Sequence, residues 1–395
     1  MDSLYKCLLD AAMSNEQELI ELRRTLHKFP ELSWREHETS HRLQESVKAL
    51  GLKVNDGVAK TGFYVDIGQN GDAPTLAYRA DMDALPIVDH KKTTYASRKD
   101  GIGHMCGHDV HSTIAFGIAK LLDEFRPEMN GAARVFWQPA EEVQPSGAPQ
   151  MIKDGVLDGI EHVFGIHVDP TAPAGVYNFK KGADTASVDT FEFEVIGGST
   201  LHSARPHNGQ DTIWIATQIC NSLYQLTGRV TDVRDATVLS ICKFNAGDAL
   251  NVIPESVEFG GTVRGTNPEA NFTIREKMRE LAATYSSMYG AKVNVKINSN
   301  LPAVVNDDAL VESAREIFTD AVGREGVGES RQSMGAEDFA YYAAERPSLF
   351  VRVGSCSSEA TSHPLHSSWF DVDESIIAPT SALMAYMMIR QLSKN

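Results

Sequence analysis

At 395 residues, 42% hydrophobic and 23% charged, the chain has the composition of a soluble globular protein, neither disordered nor membrane-spanning, and its length predicts two domains. A net charge of −16 argues against nucleic acid or an anionic membrane as a partner. The cysteines Cys7, Cys106, Cys220, Cys242 and Cys356 are odd in number and scattered, with no C-x-x-C pair, which fits a reducing compartment. No apolar run reaches bilayer length, and Met1–Lys6 lacks a signal-peptide layout, so the cytoplasm is the expected location.

In chain order, leucines 19, 22 and 26 predict a helix over 16–28 that Pro30 stops. Ser33-Trp34-Arg35-Glu36 has the pattern of a capping box opening a second helix, with Leu43, Val47 and Leu50 on one face and Gly51 past its end. Strands follow at 61–67 and 75–79, the second running into Asp81-Met82-Asp83. A helix is predicted at 112–125, then strands at 133–137 and 162–168. Helices alternating with mostly buried strands indicate an α/β layer fold, and polar residues gather just after the strands, where ligands bind such sheets. From 184 the pattern changes. Strands at 189–196, 237–244, 256–265 and 292–297 and helices at 211–226 and 269–289 have the order β-α-β-β-α-β of a ferredoxin-like unit. The predicted organisation is a catalytic domain in two parts, 1–183 and 299–395, interrupted by an inserted domain at 184–298. The second part carries a helix after 306, a strand at 348–353 and a last helix from 374.

The densest chemistry lies in 103–111, Gly-His-Met-Cys-Gly-His-Asp-Val-His. His104, Met105, Cys106, His108, Asp109 and His111 can each bind a metal or carry charge or a proton at a site. In an extended segment Cys106 and His108 would leave the backbone on the same side. A thiolate beside an imidazole suits Zn²⁺ and tolerates Mn²⁺, Co²⁺ or Ni²⁺. A polar turn with one buried thiol would also fit this run alone. Glu141 and Glu142 follow a predicted strand; pointing in opposite directions, one could ligate a metal while the other serves as general base. Two solvated loop glutamates fit the pair equally well. Taken singly, His167 and His366 read more readily as satisfied histidines than as ligands. His202, Asn251 and Arg264 fall in the inserted segment, where turn or surface chemistry would also explain them.

Together these residues resemble one family. The blocks RADMDALP, GHMCGHDVH, QPAEE, GIHV, HSARPHNGQD, NVIPE, GTVRG and GAEDF occur in family order over nearly the whole chain. They are similar to the aminoacylase and glutamate-carboxypeptidase family of two-metal metallopeptidases, in its amidohydrolase branch. The resemblance implies a mixed central sheet flanked by helices, with the inserted domain as lid and dimerisation module. It implies two divalent metal ions per subunit (Mn²⁺ or Zn²⁺, with Co²⁺ or Ni²⁺ as further options), held by Cys106, His108, Glu142, His167 and His366, with Cys106 bridging. It further implies Glu141 as general base and His202 as the lid histidine that stabilises the oxyanion across a homodimer. Asn251 and Arg264 would hold the substrate carboxylate or oxyanion, and Asp83 would orient a ligand histidine from behind. Peptidase branches open with His-x-Asp where this chain has Asp81-Met82-Asp83, which leaves Asp81 without an assigned role. The implied reaction is hydrolysis of an N-acyl amino acid to a carboxylic acid and a free amino acid. The alternatives are a dipeptidase or carboxypeptidase of the same fold, or a non-catalytic metal-binding relative.

Overall fold

The strand Pro74–Asp81 is buried over nearly its whole length, as a short apolar run covered on both faces should be. It pairs in parallel with Ala132–Gln138 on one side and His162–Pro173 on the other. The structure, a computed structural model, describes residues 2–69 and 72–393. The sheet runs in the order Val54–Val58, Gly62–Gly68, Ala132–Gln138, Pro74–Asp81, His162–Pro173, Ser348–Cys356, Tyr177–Phe179, Val327–Glu329. It is parallel at its centre and antiparallel where Gly62–Gly68 joins Ala132–Gln138, so it is mixed. The helices His108–Glu124 and Ile377–Leu392 are buried almost all round and, with Ser3–Ser14, form the helical side of the main core. This is the α/β layer architecture that the sequence predicts. Trp137 stacks on Phe63 with centroids 4.7 Å apart, and its indole N–H donates to the Ser112 carbonyl, so strand and helix are locked together. No helix among the described residues is long and apolar enough to cross a membrane.

The chain divides into two compact units. The first comprises the chain up to Asp184, Val304–Arg331 and the chain from Asp338; the second comprises Thr185–Ala303 and Gln332–Glu337. In the second unit, strands Ser187–Ile196, Thr237–Ala246, Ser256–Gly265 and Lys292–Leu301 alternate with helices Thr212–Tyr224 and Pro268–Tyr289 in the order β-α-β-β-α-β. Numbered within the unit, the antiparallel strands lie in the order 2-3-1-4, the ferredoxin-like arrangement. Phe191, Phe193 and Val195 point to one side and pack with Phe259, Ile219 and Ile274, as period-two alternation requires. The last strand runs beyond 297 because a bulge after Ser299 lets Leu301 pair with Val188. Gln332–Glu337 belongs to this unit, where the Gly335 carbonyl accepts the Ala186 amide.

Three α-helices among the described residues lie outside the sequence reading, and two local expectations are corrected. Ser3–Ser14 is a helix, with Asp2 as N-cap and Tyr5, Leu8 and Ala12 inward. Short helices at Gly147–Lys153 and Phe339–Glu345 also escape the periodicity reading, because two turns carry too few residues to show a face. Ser33-Trp34-Arg35-Glu36 is not a capping box. Trp34 has φ 66°, the helix starts at His37, and both polar side chains bind elsewhere. The helix expected from 112 starts at His108, so Cys106 and His108 do not share an extended segment. Gly107 (φ 91°) makes the turn between them, and a Cβ there would lie 2.4 Å from Val168 Cγ2.

Candidate metal centre

The site is built at the carboxyl ends of the central strands. Pro74–Asp81 delivers Asp81 and then Asp83; Ala132–Gln138 delivers Glu141 and Glu142; His162–Pro173 carries His167. Asp83 is fully buried and organises two of these loops. Its carboxylate accepts the backbone amides of Glu141 and Glu142, both at 3.0 Å, and the Ser33 hydroxyl at 2.6 Å. Its Oδ1 lies 3.3 Å from His108 Nδ1, which also bonds the Asp83 carbonyl at 2.9 Å. Burial pushes the Asp83 carboxyl up, but the hydrogen bond and charge of His108 and the bonds from Ser33 and the Glu142 amide together outweigh it and hold the carboxyl below its ordinary range.

With Nδ1 engaged, His108 presents Nε2 inward, where it is buried without a hydrogen-bond partner. Glu142 Oε1 is likewise buried and unpartnered, 3.8 Å from His108 Nε2 and 3.4 Å from His366 Nε2. Glu141 Oε2 lies 4.0 Å from the same His108 nitrogen. The adjacent glutamates therefore do not diverge as an extended chain would make them, because the backbone bends at Glu141 and Glu142 directly after left-handed Ala140 (φ 53°). His167 uses Nδ1 on the Val168 carbonyl, leaving Nε2 3.4 Å from Cys106 Sγ. The ligand atoms of Cys106, His108 and His167 lie within 4.8 Å of one another, and so do those of Cys106, Glu142 and His366. Cys106 is common to both groups. His366 sits at φ 64°, its amide donating to the Met105 carbonyl at 2.7 Å.

Burial and neighbouring carboxylates set the electrostatics of the cluster. Burial pushes the Cys106 thiol well up, and the neighbouring Glu142 charge adds to this. Burial opposes charge on His108 as well, but Asp81 and the bond to Asp83 overcome it and hold the imidazolium well above its ordinary pKa. Two buried atoms without hydrogen-bond partners (His108 Nε2 and Glu142 Oε1), a thiol and two further imidazoles within one cluster fit a pair of borderline divalent ions, whose binding would displace the His108 proton; the ligand atoms are the nitrogen, sulfur and oxygen types that such ions take.

Asp81 and His111, although close to His108, are already spent. His111 Nδ1 donates to Asp81 Oδ1 (2.8 Å), and His111 Nε2 accepts the Val168 amide (3.1 Å). Asp81 Oδ2 accepts from Arg79 at 2.7 Å. This gives Asp81 a structural role where the peptidase motif has histidine: through His111 it fixes the strand residue after His167. Of the other residues in 103–111, Asp109 binds Arg23 and His27 at 2.7 Å each, and burial pushes His104 down to about 4, keeping it neutral. Sequence reasoning missed the support beneath the site. Buried Arg79 also donates to Gln138 Oε1 (2.8 Å) and Asp338 Oδ1 (2.7 Å), and the Asp338 amide donates to Glu141 Oε1 at 3.3 Å. The placement of Arg79 and Asp338 in the RADMDALP and GAEDF blocks was the available signal. Arg79→Met should lower stability by about 3–5 kcal/mol, because it strands two buried carboxylates. A denaturation midpoint unchanged from the unaltered protein would contradict this.

His202, Asn251 and Arg264 lie in the second unit. His202 is exposed on a two-residue strand paired with Val252–Ile253, beside Asn251, whose carbonyl accepts the Ser203 amide. Arg264 is half-buried at the end of Ser256–Gly265 and donates to the Met334 carbonyl at 2.9 Å.

A cluster of nitrogen, sulfur and oxygen donors at the strand ends of a mixed α/β sheet, with a further carboxylate beside it, is the arrangement metal-assisted hydrolases use. The model of peptidase family M20/M25/M40 matches residues 77–390, and the chain belongs to that family of hydrolases. It is 37% identical over 372 residues to the N-acetylcysteine deacetylase of Bacillus subtilis, covering 94% of this chain and 96% of that relative. It is 33% identical over 383 residues to thermostable carboxypeptidase 2 of Saccharolobus solfataricus, covering 96% of each. Among solved structures, the Bacillus subtilis YXEP protein, a dinuclear metal binding peptidase from M20 family, matches with a TM-score of 0.86 at 34% identity, covering 97% of this chain and 99% of that one.

Proposed function

We propose that this protein is a metal-dependent amidohydrolase that adds water across the amide bond of an N-acyl amino acid, giving a carboxylic acid and a free amino acid. The observation that carries the reading is the pair of buried, unpartnered atoms, His108 Nε2 and Glu142 Oε1, with Cys106, His167 and His366 around them and Glu141 alongside. Similarity to an N-acetylcysteine deacetylase supports the substrate class.

Cys106, His108, Glu142, His167 and His366 would hold two divalent ions, Mn²⁺ or Zn²⁺ first, with Cys106 the residue common to both donor groups. Such ions supply Lewis acidity, making water more acidic and offsetting charge on a carbonyl oxygen. Glu141 takes the proton from the attacking water and passes it to the departing amine. Its Oε1 accepts the Asp338 amide, and its Oε2 lies 4.0 Å from His108 Nε2, beside the proposed ion positions. His202 meets the tetrahedral oxyanion in a homodimer joined through the second unit, and Asn251 and Arg264 hold the substrate carboxylate. The setting is cytoplasmic, with a small molecule rather than nucleic acid or a membrane as partner.

The test follows amine release from N-acetyl, N-benzoyl and indole-acetyl amino acids and from dipeptides. The protein is stripped with chelator, then reloaded with Mn²⁺, Zn²⁺, Co²⁺ or Ni²⁺. Turnover of acyl amino acids that disappears on stripping and returns on reloading is the expected result. A carboxypeptidase or dipeptidase reading has the support of the Saccharolobus relative; turnover of dipeptides alone would select it. Metal binding without turnover of any compound would count against both and favour a non-catalytic relative.

A further inference from the structure

Glu36 is fully buried, yet it belongs to none of the groups assigned above. Its Oε1 accepts the backbone amides of Trp34 and Ala140, each at 2.9 Å, and its Oε2 accepts the Thr61 hydroxyl at 3.0 Å. Trp34 (φ 66°) and Ala140 (φ 53°) are both left-handed, and Thr61 follows left-handed Ala59 and Lys60 (φ 47° and 70°). Residues with a Cβ disfavour that region, and they persist there only where the surroundings over-determine it. One carboxylate thus ties together three strained turns. Burial and the nearby Asp83 charge push Glu36 up to about 7, so a neutral group of the same shape suits the position.

Ala140 stands directly before Glu141. The amides of Ala140, Glu141 and Glu142 are all taken by carboxylates, the first by Glu36 and the next two by Asp83. The bend at Ala140 sets the direction in which the chain enters Glu141, whose Oε2 lies 4.0 Å from His108 Nε2, while the Glu142 amide is held separately by Asp83. We propose that Glu36 is a positioning residue for hydrolysis: by accepting the Ala140 amide it holds the bend that aims Glu141. This rests on Glu141 being the general base.

Glu36→Asp withdraws the acceptor by one methylene, whereas Glu36→Gln keeps an oxygen at the same reach. For the metal-loaded aspartate variant, kcat should fall by up to about 10²-fold, the cost of an ångström-scale misplacement. KM should stay within about twofold, since the lost interaction matters only in the transition state. Bound metal should be unchanged, and the Ala140 amide should exchange faster with solvent. The glutamine variant should keep Ala140 protected and recover kcat to within about threefold of the unaltered protein. Unaltered kcat in Glu36→Asp, loss of metal together with kcat, or a glutamine variant as impaired as the aspartate one despite a protected Ala140 would each overturn the proposal. If the aspartate variant does not fold, the glutamine variant decides: protection with retained kcat supports the assignment, and protection with lost kcat overturns it. Absence of turnover by the unaltered protein on every acyl amino acid would defeat the hydrolytic reading instead. Ala140 exchange in the variants would then still show whether Glu36 holds the bend.

Discussion

Glu141→Gln is expected to lower kcat by about 10²–10⁴-fold, the contribution of a positioned general acid–base, while both metals stay bound. Glutamine has the shape of glutamate, and its oxygen can still accept the Asp338 amide that holds Glu141 Oε1. The backbone of residue 141 stays tied to Asp83, so the loop is not disturbed. What disappears is the ability to take up a proton. Because proton transfer belongs to the transition state, kcat and kcat/KM should fall together with KM little changed. Steady-state kinetics and metal content measured on the same preparation check this. Loss of metal would make Glu141 a ligand and reverse its assignment with Glu142, whose carboxylate is also within reach of His108.

Cys106→Ser should weaken metal binding severely, and turnover with it. Sγ is the atom common to both candidate ligand groups, so its replacement touches both positions rather than one. A serine hydroxyl is a harder and far less acidic donor than a thiol, a poor match for borderline ions that take sulfur readily. Loss of an outer partner that only orients a ligand costs roughly 10–100-fold in metal affinity; removal of a shared ligand should cost more. Competition with a chromophoric chelator measures it. Affinity and stoichiometry equal to those of the unaltered protein would rule out the thiolate as a ligand.

Most elements long enough to show a face were legible in the sequence, Ser3–Ser14 being an exception. The helix expected at 16–28 is Glu16–Lys28, because its leucines repeat at helical spacing against one core. The ferredoxin-like order of the second unit followed from alternation at period two, since each strand there buries one side only. Two-turn helices were missed for want of a pattern. The misread Ser33–Glu36 shows the opposite failure: a local motif with the right residues was overridden by distant partners. Ser33 binds Asp83, and Glu36 binds Ala140, more than a hundred residues away.

Residue types and block order by themselves determined the family and the donor atoms available, because soft and hard metal ligands beside a carboxylate pair restrict the chemistry. Tertiary structure alone decided which of those donors remain free. His111 and Asp81 have the same ligating chemistry as His108 and Glu142, but the first pair is saturated by Arg79, by the Val168 amide and by each other, while His108 Nε2 and Glu142 Oε1 are left without partners. Residues far apart along the chain meet only where parallel strands end side by side, and a hydrogen bond made or missing at that distance has no trace in local sequence.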